Sequence, residues 1–227
     1  MTYIGRFAPS PTGPLHFGSL ITAVASYCDA KANQGTWLVR IEDTDIPRIY
    51  PNSESHILNC IDAFEFEPDA DIIFQKNRLD LYEDVLDQLK QAQQIYACEC
   101  TRKQLICFDD LLQGRQCSNL KNDLGDFVLK RRDGIISYQL AVVVDDYLQG
   151  ITHVVRGADL LDNTARQIWL GSLLDYPKLN YMHLPLAMNE QGQKLSKQNM
   201  AQALDLSKAP ELLKQVISAL GQLNVEL

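Results

Sequence analysis

The stretch TYIGRFAPSPTGPLHFGSL, Thr2 to Leu20, limits the fold more than any other part of this chain. TYIGRFA reads as a buried strand. PSPTGP must be a turn, because its three prolines remove backbone donors and, with the glycine, break both strand and helix. A helix is expected from about Leu15 to Ala32, since Leu20, Ala23, Val24 and Tyr27 recur at helical spacing. Gly35 suits a stop signal just beyond it. TWLVRIE then gives a second strand. Strand, helix and strand in this order predict two parallel strands with a right-handed crossover.

Further along, SESHILNCIDAFEF is expected to be a helix with Ser53 as its cap, followed by the amphipathic NRLDLYEDVLDQLKQAQQ. IYACEC reads as a short strand, and residues 101–125 as irregular. DFVLKRRDGIISYQLAVVV reads as a β-hairpin turning at Asp133 and Gly134. GITHVVRG and YMHLPLAM are expected strands on either side of the helix NTARQIWLGSLLDY. The tail KAPELLKQVISALGQL is amphipathic. The predicted class is α/β: a Rossmann-like parallel-sheet nucleotide-binding domain, interrupted by an inserted α+β segment and closed by a short helical tail. Its parts are residues 1–95, an insertion at 96–135, a second half at 136–200 and the tail 201–227.

The net charge of -8 argues against a general nucleic-acid binder. The strong local basic run is LKRR, Leu129 to Arg132, which reads as a solvated hairpin tip or a small basic patch. The N-terminus lacks a signal-peptide pattern, and apolar runs such as QLAVVV are too short to span a bilayer. A cytoplasmic location is expected, without membrane contact, and a monomer is expected. In that compartment the cysteines at 28, 60, 98, 100, 107 and 117 should be reduced. Four of them fall within twenty residues, which suggests a metal rather than a disulfide framework.

The first strand-to-helix turn is where an open parallel sheet binds ligands, with a helix N-terminus ready for phosphate. PSPTGPLHFGS on that turn resembles the HIGH signature of class I aminoacyl-tRNA synthetases. KLSKQ, Lys194 to Gln198, resembles their KMSKS signature. LVRIEDTDIPR and VVRGADLL…NTARQ occur between them in matching order. Together these are similar to the catalytic core of the glutamyl-tRNA synthetase family, over nearly all of residues 3–200. HFGS and KLSKQN, with few residues after Gln198, are similar to the truncated branch of that family, which glutamylates the queuosine base of tRNA(Asp). No anticodon-binding domain is expected.

The resemblance implies ATP, with Mg2+, and L-glutamate as substrates and queuosine-bearing tRNA(Asp) as partner. It implies ATP contacts from His16, Gly18, Ser19, Lys194, Ser196 and Lys197, with His16 and Lys197 catalytic. Ser19 stands where the family has its second histidine. The glutamate site would be Arg6, Ala8, Ser10, Glu42, Tyr138 and Arg156. Arginine suits a carboxylate because its planar fork can bond both oxygens. Glu42 would hold the ammonium. Asp43 and Asp45 could instead cap the following turn.

The family also binds Zn2+. Cys98 and Cys100 match its first two ligands, but Leu112 and Gln116 occupy the positions of the expected tyrosine and last cysteine. Cys117 falls one residue late, and Cys107 is the candidate fourth ligand. Zinc in a closed site wants four ligands, so both zinc binding and loss of the site stay open. Other readings are a short enzyme charging a tRNA 3′ end, a nucleotidyltransferase of the same superfamily, and an inactive RNA-binding paralogue.

Overall fold

The structure is a computed structural model and describes residues 2–95, 105–119, 122–123, 125–186 and 203–221. Strand β1 (Ile4–Phe7) runs into helix α1 (Phe17–Ala32) and returns as β2 (Thr36–Ile41), which pairs in parallel with β1. β2 pairs in parallel with the short β3 (Ile73–Phe74). Helices α2 (Ser53–Ala63) and α3 (Leu79–Gln91) precede and follow β3.

The second half supplies β4 (Leu105–Asp110), β5 (Gly114–Asn119), α4 (Tyr138–Leu148), β6 (His153–Gly157), α5 (Leu161–Leu173) and β7 (Asn180–Leu184). Helix α6 (Ala209–Ala219) closes the described chain. The order in this sheet is β5-β4-β7-β6, and only β4 and β5 pair antiparallel. Thr152 N–H donates to Ile4 O at 2.9 Å, joining the two sheets beside β1 and β6. From β1 the chain winds outward to β2. From β6 it winds the other way, to β7. A crevice must open between such halves, at the carboxyl ends of their strands.

Trp37, fully buried on β2, anchors the main core, and its indole N–H donates to Ser26 Oγ at 3.0 Å. Tyr82, Leu89, Leu140 and Leu170 build a second core between α3, α4 and α5. The basis for Gly35 differs from the expected stop signal. The left-handed residue after α1 is Gln34, with φ 53°. At Gly35 a Cβ would lie 2.5 Å from Tyr3 O, so the close approach of β1 demands glycine there.

Two sequence expectations are corrected. The hairpin of DFVLKRRDGIISYQLAVVV stops at a single bridge between Lys130 and Ile136, around Gly134 with φ 88°. Its second arm is helix α4, capped by Ser137 Oγ, which accepts from Leu140 N–H at 3.4 Å. A strand would send Asp145 and Asp146 to opposite faces. In the helix both stay buried and reach arginines. The stretch read as irregular holds the β4–β5 hairpin, whose Asp110 pairs with Tyr181 of β7. The expected strand IYACEC falls largely outside the described residues.

Candidate active site

The crevice is a cleft of about 340 Å3. The turn after β1 shapes its floor. Glu42 N–H donates to Pro9 O at 3.0 Å, and Tyr50 N–H to Pro11 O at 2.9 Å, so the turn is tied to the end of β2. His16 is the N-cap residue of α1 and lies just outside the first helical turn. Its Nδ1 accepts from Ser19 N–H at 3.4 Å, which leaves Nε2 as the protonated, donating nitrogen. No acidic side chain occupies the first turn of α1, so the positive end of this 16-residue helix faces the cleft unneutralised.

Arg6, Ala8, Ser10, His16, Gly18, Ser19, Glu42, Tyr138 and Arg156 all line this cleft. Lys194, Ser196 and Lys197 lie outside the described residues.

The cleft wall is a network of buried charges. Arg40, with no exposed surface, reaches Asp146 Oδ1 at 2.8 Å and Glu42 Oε1 at 3.2 Å. Asp146 also holds Arg6 Nε at 3.2 Å. Burial pushes the Asp146 carboxyl up, but Arg6 and Arg40 overrule it and hold it below the ordinary carboxylate range. Glu42 goes the other way. Burial raises it above the ordinary range despite Arg40 and Arg6, with Asp146 adding repulsion. Burial, with Glu42 nearby, also raises the Tyr138 phenol, which therefore stays neutral. Asp145 is a structural anchor, accepting from Gln75, Arg78 and Tyr82.

Arg156 is 3% exposed, and its bonds have a different character. Nε donates to His183 Nε2 at 3.0 Å and NH1 to Gln167 Oε1 at 2.8 Å. NH2 donates to Thr164 Oγ1 at 2.7 Å and Leu160 O at 3.4 Å. Among the described residues none of these partners is a carboxylate. A buried cation bonded to neutral acceptors is solvated but not neutralised, so the cleft is built to receive an anion there.

Sequence reasoning missed Arg40, Asp110, Asp146 and His183. One signal was present: the paired acids in VVVDD, inside an apolar run, call for buried cations. Asp43 and Asp45 do not cap the next turn with their side chains. Asp43 accepts from Lys76 N–H at 2.8 Å, and Asp45 accepts from Arg131 at 3.2 Å. The LKRR run is a solvated tip, with Lys130 paired to Glu83 and Arg131 to Asp45 and Asp133.

The metal expectation needs correction too. Cys107 and Cys117 face each other across β4 and β5 and are joined as a disulfide. Their sulfurs are thus spent on each other and do not fit a zinc site. Cys98 and Cys100 lie outside the described residues. Among the described residues no cluster of three metal-ligating side chains occurs.

The family model for class I tRNA synthetases (E and Q), catalytic domain, matches residues 4–107 and 102–220. A glutamate tRNA ligase from Elizabethkingia meningosepticum, solved with its amino acid, superposes with a TM-score of 0.78 at 27% identity. That match covers 88% of this chain and 53% of the ligase, so the chain spans about half the length of that enzyme. The glutamyl-Q tRNA(Asp) synthetase of Acinetobacter baylyi is 69% identical over 99% of this chain and 87% of its own length. That of Cupriavidus metallidurans is 47% identical over 99% and 86%. The chain therefore belongs to the class I glutamyl- and glutaminyl-tRNA synthetase family of ligases, in the branch of these glutamyl-Q tRNA(Asp) synthetases.

The alignment with the Acinetobacter relative takes 255 positions, against the 227 residues of this chain. The relative thus carries residues that this chain omits, and the two ranges matched by the family model overlap at residues 102–107. Among the described residues no helix is long and apolar enough to cross a membrane.

Proposed function

We propose that the protein activates L-glutamate with ATP, without tRNA, and passes the glutamyl group to the queuosine base in the anticodon of tRNA(Asp). The observation that carries this reading is Arg156, a buried guanidinium bonded only to neutral acceptors among the described residues, in one cleft with Arg6 and Glu42. An amino dicarboxylate offers two anions and one cation. Arg6 and Arg156 complement the carboxylates, and Glu42 complements the ammonium. The neutral phenol of Tyr138 donates to a carboxylate oxygen. Ala8 and Ser10 shape the turn beneath the substrate.

In the first step a glutamate carboxylate oxygen attacks the α-phosphorus of ATP. The bond to the bridging β-oxygen breaks, and pyrophosphate leaves. Charge gathers on phosphate oxygens, so catalysis is positioning and electrostatic stabilisation. The N-terminus of α1 and the Nε2 donor of His16 supply that stabilisation on one side. Gly18 gives the adenine access to the backbone, and Ser19 donates a hydroxyl. Lys197, Lys194 and Ser196 would supply further positive charge and a hydroxyl, and Mg2+ would accompany the triphosphate. In the second step the queuosine base attacks the adenylate carbonyl and AMP departs.

The test is ATP–pyrophosphate exchange with and without L-glutamate, in the absence of tRNA. Glutamate-dependent exchange in the wild type, lost in Arg6→Ala, is the expected result. Exchange that ignores glutamate, or that survives in Arg6→Ala, refutes the assignment.

A further inference from the structure

Arg156 is held by a chain of buried groups that starts on the β4–β5 hairpin. Asp110 closes that hairpin. Its Oδ1 accepts from Leu112 N–H at 3.0 Å, Gln113 N–H at 2.8 Å and His183 N–H at 3.3 Å. Its Oδ2 lies 2.6 Å from His183 Nδ1. His183 has no exposed surface, and its Nε2 lies 3.0 Å from Arg156 Nε.

The tautomer follows from donor counting. A guanidinium donates and never accepts, so His183 Nε2 offers its lone pair to Arg156; Thr164 Oγ1 also lies 3.0 Å from that nitrogen, but it accepts from Arg156 NH2 and gives its own proton to Leu160 O. The ring proton then sits on Nδ1 and is donated to Asp110 Oδ2. Arg156 has five N–H donors. Among the described residues, four are used in the bonds to His183, Gln167, Thr164 and Leu160, which leaves one hydrogen on NH1.

We propose that Asp110 and His183 are positioning residues for Arg156: Asp110 fixes the His183 tautomer, and His183 fixes the edge of the guanidinium that meets the substrate carboxylate. This rests on the reading of the cleft as a glutamate site. Neither residue touches the substrate. The arrangement keeps Arg156 rigid while withholding any counter-charge from it, because the Asp110 carboxylate is one imidazole away. A carboxylate bonded directly to Arg156 would orient it equally well, but would compete with the ligand for its charge.

Asp110→Asn tests this sharply. Oδ1 is committed to three backbone N–H groups, so the new amide nitrogen must take the Oδ2 position and face His183 Nδ1. The ring proton is then driven to Nε2, where Thr164 Oγ1 can accept it and the bond from Arg156 Nε–H is lost. The hairpin cap survives. The KM for glutamate in pyrophosphate exchange is expected to rise at least about tenfold, with the KM for ATP unchanged. A merely structural role would reduce the folded fraction and kcat and leave the glutamate KM alone. A glutamate KM within about twofold of wild type in folded Asp110→Asn overturns the proposal.

Nitrogen-15 NMR of the His183 ring in wild-type protein is the second measurement, and it needs no variant. A proton on Nδ1 is expected, and a proton on Nε2 overturns the proposal even if Asp110→Asn fails to fold. If wild-type protein shows no glutamate-dependent exchange, the proposed function fails by itself. The tautomer still decides whether Asp110 sets His183.

Discussion

Arg6 and Asp146, 140 residues apart in sequence, meet at 3.2 Å with both side chains nearly buried. Asp146 bonds Arg6 and Arg40 together, so the end of β1, the end of β2 and helix α4 share one carboxylate. Substrate specificity in the cleft and stability of the fold therefore meet at one residue. Asp146→Ala leaves two buried guanidinium groups short of a counter-charge. A loss of about 3 to 5 kcal/mol in urea unfolding is expected. Because the folded Asp146 carboxyl is held below its unfolded range, its contribution is present above the unfolded pKa and fades as pH falls through the folded one. The difference between wild type and variant should shrink accordingly in acid.

Glu42 should show the opposite sign. Its folded carboxyl is raised, so keeping it ionised costs stability at neutral pH. That cost is absent below the unfolded pKa and appears as pH rises through the folded value. Glu42→Gln is expected to melt higher than wild type at about pH 7, with the gain vanishing near pH 4. The same variant should lose glutamate-dependent exchange, since an amide cannot neutralise the ammonium. Thermal melts across pH, beside the exchange assay, check both halves.

The Cys107–Cys117 pair gives a third expectation. The bond closes a short loop across β4 and β5, and opening it should cost about 2 to 3 kcal/mol. Non-reducing peptide mapping should recover residues 107 and 117 in one cross-linked fragment. Denaturant midpoints with and without reductant then measure the stabilisation. Equal midpoints would remove any structural role for the bond.

Ser137 accounts for the fourth. Its hydroxyl caps α4 in a region whose valine run favours a strand. Ser137→Ala should cost about 1 kcal/mol. Because Tyr138 is the first residue of α4, the glutamate KM should rise as well. Unchanged stability would show that tertiary packing alone holds the helix start.

These residues also show what the sequence could reveal. The β1–turn–α1–β2 unit was legible, because prolines, glycine and helical spacing leave one reading of residues 2–42. All nine expected cleft residues outside the stretch 194–198 line one cavity, because family motifs fixed them to strand ends and helix starts. α4 was misread since Val142, Val143 and Val144 look like strand, while the Arg6, Arg40 and Arg78 that hold its Asp145 and Asp146 lie far away in sequence. The metal reading met a different difficulty: Cys107 and Cys117 bond to each other, while Cys98 and Cys100 lie outside the described residues.

The central claim is tested most directly by incubating the protein with ATP and radiolabelled L-glutamate, then with tRNA(Asp) with and without queuosine, and with tRNA(Glu). Label bound stably to queuosine-bearing tRNA(Asp) alone is the predicted result. Label on the 3′ end of tRNA(Glu), or on tRNA(Asp) regardless of queuosine, would contradict the account.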